Sequence, residues 1–115
     1  DICQVDRVAA MLERHPGLMD RLFNSAESHT ADGRPRSADS LAARFCAKEA
    51  LAKALGSPGG MSWLDAEVIT SANGAPQFVI RGTVAARAAE CAVQNIRLSL
   101  SHDGGLATAF VICEG

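Results

Sequence analysis

The chain is 115 residues long, 48% hydrophobic and 21% charged, with a net charge of -2, the proportions of one compact domain with a modest core. It has neither a basic excess nor a basic stripe interleaved with aromatics, which excludes general nucleic-acid binding. No apolar run approaches the ~20 residues of a membrane span and no signal-peptide pattern opens the sequence, so a cytoplasmic protein with no membrane partner is expected.

From Gln4 to Arg14 the apolar residues Val5, Val8, Met11 and Leu12 recur at helical spacing until His15-Pro16-Gly17 ends the run. Leu18 to Phe23 reads as a second short helical piece. The segment around Ser25, Glu27 and His29 shows no assignable pattern, and Thr30 to Ser37 holds Gly, Pro and charge without periodicity, the mark of a loop. Ser37 or Asp39 caps an alanine-rich helix that reaches about Leu55 and stops at Gly56-Ser57-Pro58-Gly59-Gly60. Beyond it, Trp63 to Thr70 alternates as a strand, Asn73-Gly74 marks a tight turn, and Gln77 to Ile80 returns. Thr83 to Val93 is a short helix carrying Arg87 and Glu90. Arg97 to Ser101 and Leu106 to Cys113 are strands joined by a turn at His102-Asp103-Gly104-Gly105. The predicted fold class is therefore α+β, an antiparallel sheet packed on a long helix, in a single domain over residues 1–115.

The four cysteines, Cys3, Cys46, Cys91 and Cys113, are scattered without a Cys-x-x-Cys pair, so no zinc site is expected. Cys46 and Cys91 read as small buried hydrophobes in a reducing compartment. Aromatics make up only 4% of the chain and tyrosine is absent, so the core is thin and an oligomer interface is expected.

The densest chemistry lies at Arg44-Phe45-Cys46-Ala47-Lys48-Glu49-Ala50. In a helix Arg44 and Lys48 share one side, where like charges four apart repel by about 0.2–0.5 kcal/mol. A phosphate would satisfy both, with Glu49 close by to hold a divalent cation, an arrangement suited to phosphoryl chemistry. The competing reading is the solvated face of an amphipathic helix.

These residues resemble the holo-acyl-carrier-protein synthases, members of the 4'-phosphopantetheinyl transferases. The resemblance rests on Asp1-Ile2 followed by Arg7, on Phe23-x-x-x-Glu27, on Arg44-Phe45-x-Ala47-Lys48-Glu49-Ala50, on Trp63-x-Asp65-x-Glu67-Val68, on Gly74-x-Pro76 and on Ser99-Leu100-Ser101-His102-Asp103. It spans nearly the whole chain. It implies transfer of the phosphopantetheine arm of coenzyme A to a serine of an acyl carrier protein, with Mg2+ and release of adenosine 3',5'-bisphosphate. It also implies a homotrimer with active sites at subunit interfaces.

By the same resemblance Asp1 and Glu49 are metal ligands. Lys48, Glu49 and His102 are the catalytic set. Arg44, Lys53, Gly74, Pro76, Ser101 and His102 contact the coenzyme, and Arg7 and Arg14, on one face of the first helix, meet the acidic carrier protein. Family members have a short strand ending in Gly-x-Asp where Asp1 here opens the sequence, so residues ahead of Asp1 are expected to lie outside the numbering. On its own residues, Lys53 also suits an intrahelical salt bridge with Glu49. A hydrolase built on Ser101, His102 and Asp103 is disfavoured because consecutive strand residues face opposite ways. The remaining alternative is a catalytically silent coenzyme A or carrier-protein binding module of the same fold.

Overall fold

The helix α4 (Ala38–Ala54) is the axis on which the rest is laid. Ala42, Ala43, Cys46, Ala47, Ala50 and Leu51 are all buried; small side chains over most of its circumference let neighbouring elements pack closely around it, leaving Glu49 half-buried and Lys53 exposed. Ser37 caps it, accepting from the Ser40 amide at 3.2 Å. The computed structural model describes residues 1–115. No helix is long and apolar enough to cross a membrane.

Ahead of α4 come β1 (Ile2–Gln4), α1 (Val5–Arg14), α2 (Leu18–Leu22) and α3 (Ser25–Ser28). After it come a 3-10 turn at Trp63–Asp65, β2 (Ala66–Thr70), β3 (Pro76–Ile80), α5 (Gly82–Glu90), β4 (Asn95–Asp103) and β5 (Leu106–Glu114). The sheets are antiparallel: β1-β5-β4, and the hairpin β2-β3 beside it. Alternation along β5 turns Ala107 and Ala109 onto α4, while Leu106, Phe110 and Ile112 face outward. Ile2 of β1 is 61% exposed and Phe110 67%, so the β1 and β5 part of the sheet's outer face carries an apolar patch that is uncovered in the single chain.

Several boundaries differ from those predicted. The strand after Asp1 was not read from the sequence because three residues are too few to show a period; its ladder to β5 pairs Ile2 with Thr108 and Gln4 with Leu106. The segment around Glu27 is α3, closed by a capping box in which Asn24 and Glu27 exchange backbone and side-chain hydrogen bonds. Trp63–Asp65 is a 3-10 turn and not the start of a strand. β4 runs two residues further at its tip than expected, to Asp103, which pairs with Leu106 at the start of β5. Gly104 and Gly105 both adopt positive φ, as a two-residue hairpin turn with primed geometry demands. The earlier hairpin turn is wider than Asn73-Gly74 alone: Ser71 receives the Gly74 amide, Ala75 accepts from the Ser71 amide, and Gly74 takes the left-handed position.

Candidate active site

Residues 46, 49, 50 and 53 fall on one stripe of α4, set by 3.6 residues per turn, and β1 crosses that stripe. Asp1 and Cys3, two apart on an extended strand, point to the same side, and Ile2 between them points out. The crossing brings the Lys53 ammonium to 2.8 Å from the Asp1 carboxylate, which is held largely out of water. Glu49 stands one turn before Lys53, half-buried. The Asp1 carboxylate and the Lys53 ammonium thus meet where β1 crosses α4, with Glu49 on the same stripe of the helix. Lys53 takes Asp1 as its ion-pair partner rather than the Glu49 expected from helical spacing.

Beneath Asp1 lie two thiols. The sulfurs of Cys3 and Cys46 and a carboxylate oxygen of Asp1 are all within 4.8 Å of one another. The Cys46 thiol donates to the Ala107 carbonyl at 3.7 Å. Burial, reinforced by Cys3, pushes its pKa up to about 12, so it rests as a neutral thiol.

Lys48 faces away from this edge, and its predicted place at the phosphates is corrected. Its ammonium has no exposed surface and donates to the Leu22 carbonyl at 2.6 Å, to Glu27 Oε1 at 3.0 Å and to the Trp63 carbonyl at 3.0 Å. Three donors meet three acceptors, and the Phe23 ring lies 5.2 Å from the nitrogen. Burial lowers the Lys48 pKa and Glu27 opposes it. Glu27 completes the hub by accepting the Val68 amide at 2.9 Å. This hub ties α2, α3, α4 and β2 together; it is the root of the site and not its surface.

Arg44 is buried as well, one turn before Lys48, so these charges do not form a solvated helix face. Its Nη1 donates to Ser40 Oγ at 2.7 Å, and its Nε has no partner. Burial lowers its pKa, and the charge of Arg36 adds to the effect. The Nε of Arg36 is likewise buried and unpaired. Two neighbouring guanidiniums thus concentrate positive charge near the start of α4, each with a buried Nε that lacks a partner. Arg36 was passed over in the sequence because it lies in a loop without periodicity.

His102 is a strand residue at the tip of β4, with Nδ1 3.9 Å from Asp39 Oδ2 at the start of α4. It shares the inner side of β4 with Leu100, whereas Ser101 points to the outer face with Ser99. Ser101 and His102 therefore face opposite ways, and no serine-histidine pair forms here. Gly74 and Pro76 stay at the β2–β3 tip, where Asn73 accepts the Ala75 amide at 3.0 Å. Arg7 and Arg14 are brought together: both line a groove of about 730 Å³ along α1, with Cys3, Met11, Phe45 and Leu106.

The sequence model of the 4'-phosphopantetheinyl transferase superfamily matches residues 1–111. The holo-acyl-carrier-protein synthase of Streptomyces avermitilis is 56% identical over 115 residues, covering 100% of this chain and 94% of that protein. The Salinispora arenicola enzyme of the same name is 53% identical over 114 residues, covering 99% and 93%. Among solved structures, Helicobacter pylori holo-acyl-carrier-protein synthase in complex with coenzyme A superposes with a TM-score of 0.83 at 26% identity, over 99% of this chain and 96% of that one. Fold and sequence together define a 4'-phosphopantetheinyl transferase. Within that superfamily the chain belongs to the holo-acyl-carrier-protein synthases.

Proposed function

We propose that this protein transfers the 4'-phosphopantetheine arm of coenzyme A to a serine hydroxyl of an apo acyl carrier protein, leaving adenosine 3',5'-bisphosphate. The observation that carries the reading is the meeting of Asp1 with the Glu49 and Lys53 stripe of α4. The serine oxygen attacks the β-phosphorus in line as the bond to the departing bisphosphate breaks. The hard oxygens of Asp1 and Glu49 suit Mg2+, which when bound neutralises charge on the pyrophosphate. Lys53, 63% exposed at its side chain, holds the Asp1 carboxylate in place and is free to swing onto an incoming phosphate. Arg44 and Arg36 place positive charge near the start of α4 for the coenzyme's phosphates, and His102 reaches the same end of α4 from the β4 tip. Gly74, Pro76 and Ser101 complete the coenzyme's surroundings in this reading.

The direct test incubates the protein with coenzyme A, Mg2+ and an apo carrier protein, then weighs the carrier. A gain of one phosphopantetheine is the expected result. Coenzyme binding without transfer would mean a silent binding module, and neither binding nor transfer would retire the proposal.

The groove along α1 supplies the carrier surface. Arg7 and Arg14 stand exposed on its rim, and acyl carrier proteins are acidic. Rim charges act mainly on encounter rate. Replacing both by glutamate is expected to slow carrier association about 10- to 100-fold at low salt, with coenzyme A affinity unchanged. Carrier kinetics identical to wild type at low ionic strength would remove α1 from the docking surface.

The homotrimer remains our reading of the outer sheet face. Ile2, Leu106, Phe110 and Ile112 form an apolar patch that a single chain leaves in water, and patches of that kind mark interfaces. Three-fold closure would carry Ser101, on the same face, toward a neighbouring subunit. Phe110→Asp is expected to convert a sedimenting trimer to monomer and to lower activity with it. A wild-type chain that sediments as an active monomer would refute the assembly.

A further inference from the structure

We propose that Cys3, Cys46 and Asp1 form a second metal site, selective for a soft divalent ion such as Zn2+, whose occupation pulls Asp1 out of the magnesium pair and inhibits transfer. The inhibitory half rests on the function proposed above; the site itself does not. Cys3 and Cys46 are remote in sequence, which is why their spacing gave no sign of a metal site. The crossing of β1 over α4 makes them neighbours.

The geometry is close to that of an assembled site. Ligand atoms around tetrahedral zinc, bonded at about 2.0–2.3 Å, are separated by roughly 3.5–3.8 Å. The two sulfurs and the Asp1 oxygen already lie within 4.8 Å of one another, so a closure of about 1 Å completes the triangle. Cys46 is a fixed donor on the central helix, fully buried. Cys3 and Asp1 are adjustable, because β1 is a three-residue strand at the edge of its sheet, paired on one side only. Two thiolates and a carboxylate leave a fourth position for water, and the groove beside Cys3 gives access.

Donor chemistry decides which ion this site takes. Thiolates favour Zn2+ and are poor ligands for Mg2+, whereas the Asp1 and Glu49 oxygens suit the harder ion. One carboxylate therefore belongs to two competing sets. Binding to the thiols displaces their protons into solvent and separates Asp1 from Lys53, whose exposed ammonium returns to water at little cost. No covalent bond is made and no electron moves.

Cobalt makes the test independent of catalysis. The protein, kept reduced with a phosphine, is titrated with Co2+ and then with Zn2+. The expected result is one ion per chain, with tetrahedral visible bands and a near-ultraviolet thiolate-to-cobalt charge-transfer band that Zn2+ abolishes. Cys3→Ser and Cys46→Ala should each diminish that band and weaken Zn2+ binding by at least the ~10–100-fold that loss of even a supporting partner costs. Cys91→Ser, at an exposed cysteine outside the cluster, should change nothing. Absence of the charge-transfer band in the wild type, or its persistence in Cys3→Ser, overturns the site; Cys3→Ser decides the matter even where Cys46→Ala fails to fold.

In the transfer assay with excess Mg2+, stoichiometric Zn2+ should silence the wild type reversibly and leave Cys3→Ser active. Equal inhibition of both overturns the competition for Asp1. A cobalt spectrum as described in a protein without transferase activity would uphold the site and reject only the function on which the inhibition depends.

Discussion

Lys48→Met is expected to destabilise the protein by about 3–5 kcal/mol, because it strands the Glu27 carboxylate in the interior without its counter-charge. Methionine keeps the apolar stem of lysine and ends one atom short of the ammonium, so packing around α4 is largely conserved while the three hydrogen bonds to Glu27, Leu22 and Trp63 are lost. Denaturant melts measure the loss directly. The double variant Glu27→Gln with Lys48→Met should recover a large part of it, since no charge is then left buried; failure to recover would mean that the ammonium matters through the two carbonyls more than through the ion pair. A melt unchanged in Lys48→Met would show that the hub does not support the fold.

The same lysine carries a pH signature with a definite sign. Burial outweighs Glu27 and holds the Lys48 pKa below its ordinary value. Between the two values the unfolded chain binds more protons than the folded one, so this group's contribution to stability rises with pH across that alkaline window. Below it the contribution is constant. Lys48→Met is expected to flatten that rise, which a series of melts resolves.

What the sequence disclosed and what it concealed divide along range of contact. The long helix was legible because small residues run from Ala42 to Ala50 between a serine cap and a glycine-rich stop, and β4 and β5 because their alternation and twin glycines are local signals. Helical spacing also put Arg44 and Lys48 correctly on one side. It could not say that this side faces inward: the partner that makes burial tolerable, Glu27, sits in a four-residue helix whose only sequence mark is the Asn24 to Glu27 capping box. The expectation of a phosphate-binding Lys48 failed for that reason. Lys53, placed beside Glu49 by spacing, turned out to hold Asp1 across 52 residues of sequence, a pairing no local pattern encodes. The Cys3 and Cys46 meeting was hidden in the same way. His102 precedes a run of turn-forming residues and so resembles one of them in sequence, whereas the hairpin needs only Gly104 and Gly105.

The largest effect on activity is expected from Glu49→Gln. The substitution keeps volume, and its amide oxygen can still ligate, but it removes a full negative charge from the carboxylate pair proposed to hold Mg2+. A bound divalent ion supplies several kcal/mol of charge stabilisation in the transition state, and each 1.36 kcal/mol is worth tenfold in rate, so transfer should fall by about 100-fold or more at limiting Mg2+. Raising Mg2+ should restore part of the rate by mass action, which separates a weakened cation site from a lost catalytic group. The fold should be indifferent: Glu49 is half-buried and makes no ion pair in the structure, and its neighbour Lys48 carries the structural burden on the other side of the helix. Melts of Glu49→Gln and wild type should therefore coincide. Lys48→Met should show the reverse pattern, with a lowered melt and with the magnesium dependence of its folded fraction unchanged. Normal turnover of Glu49→Gln at low Mg2+ would remove Glu49 from the metal pair and, with it, the reason for reading the β1 and α4 crossing as the catalytic centre.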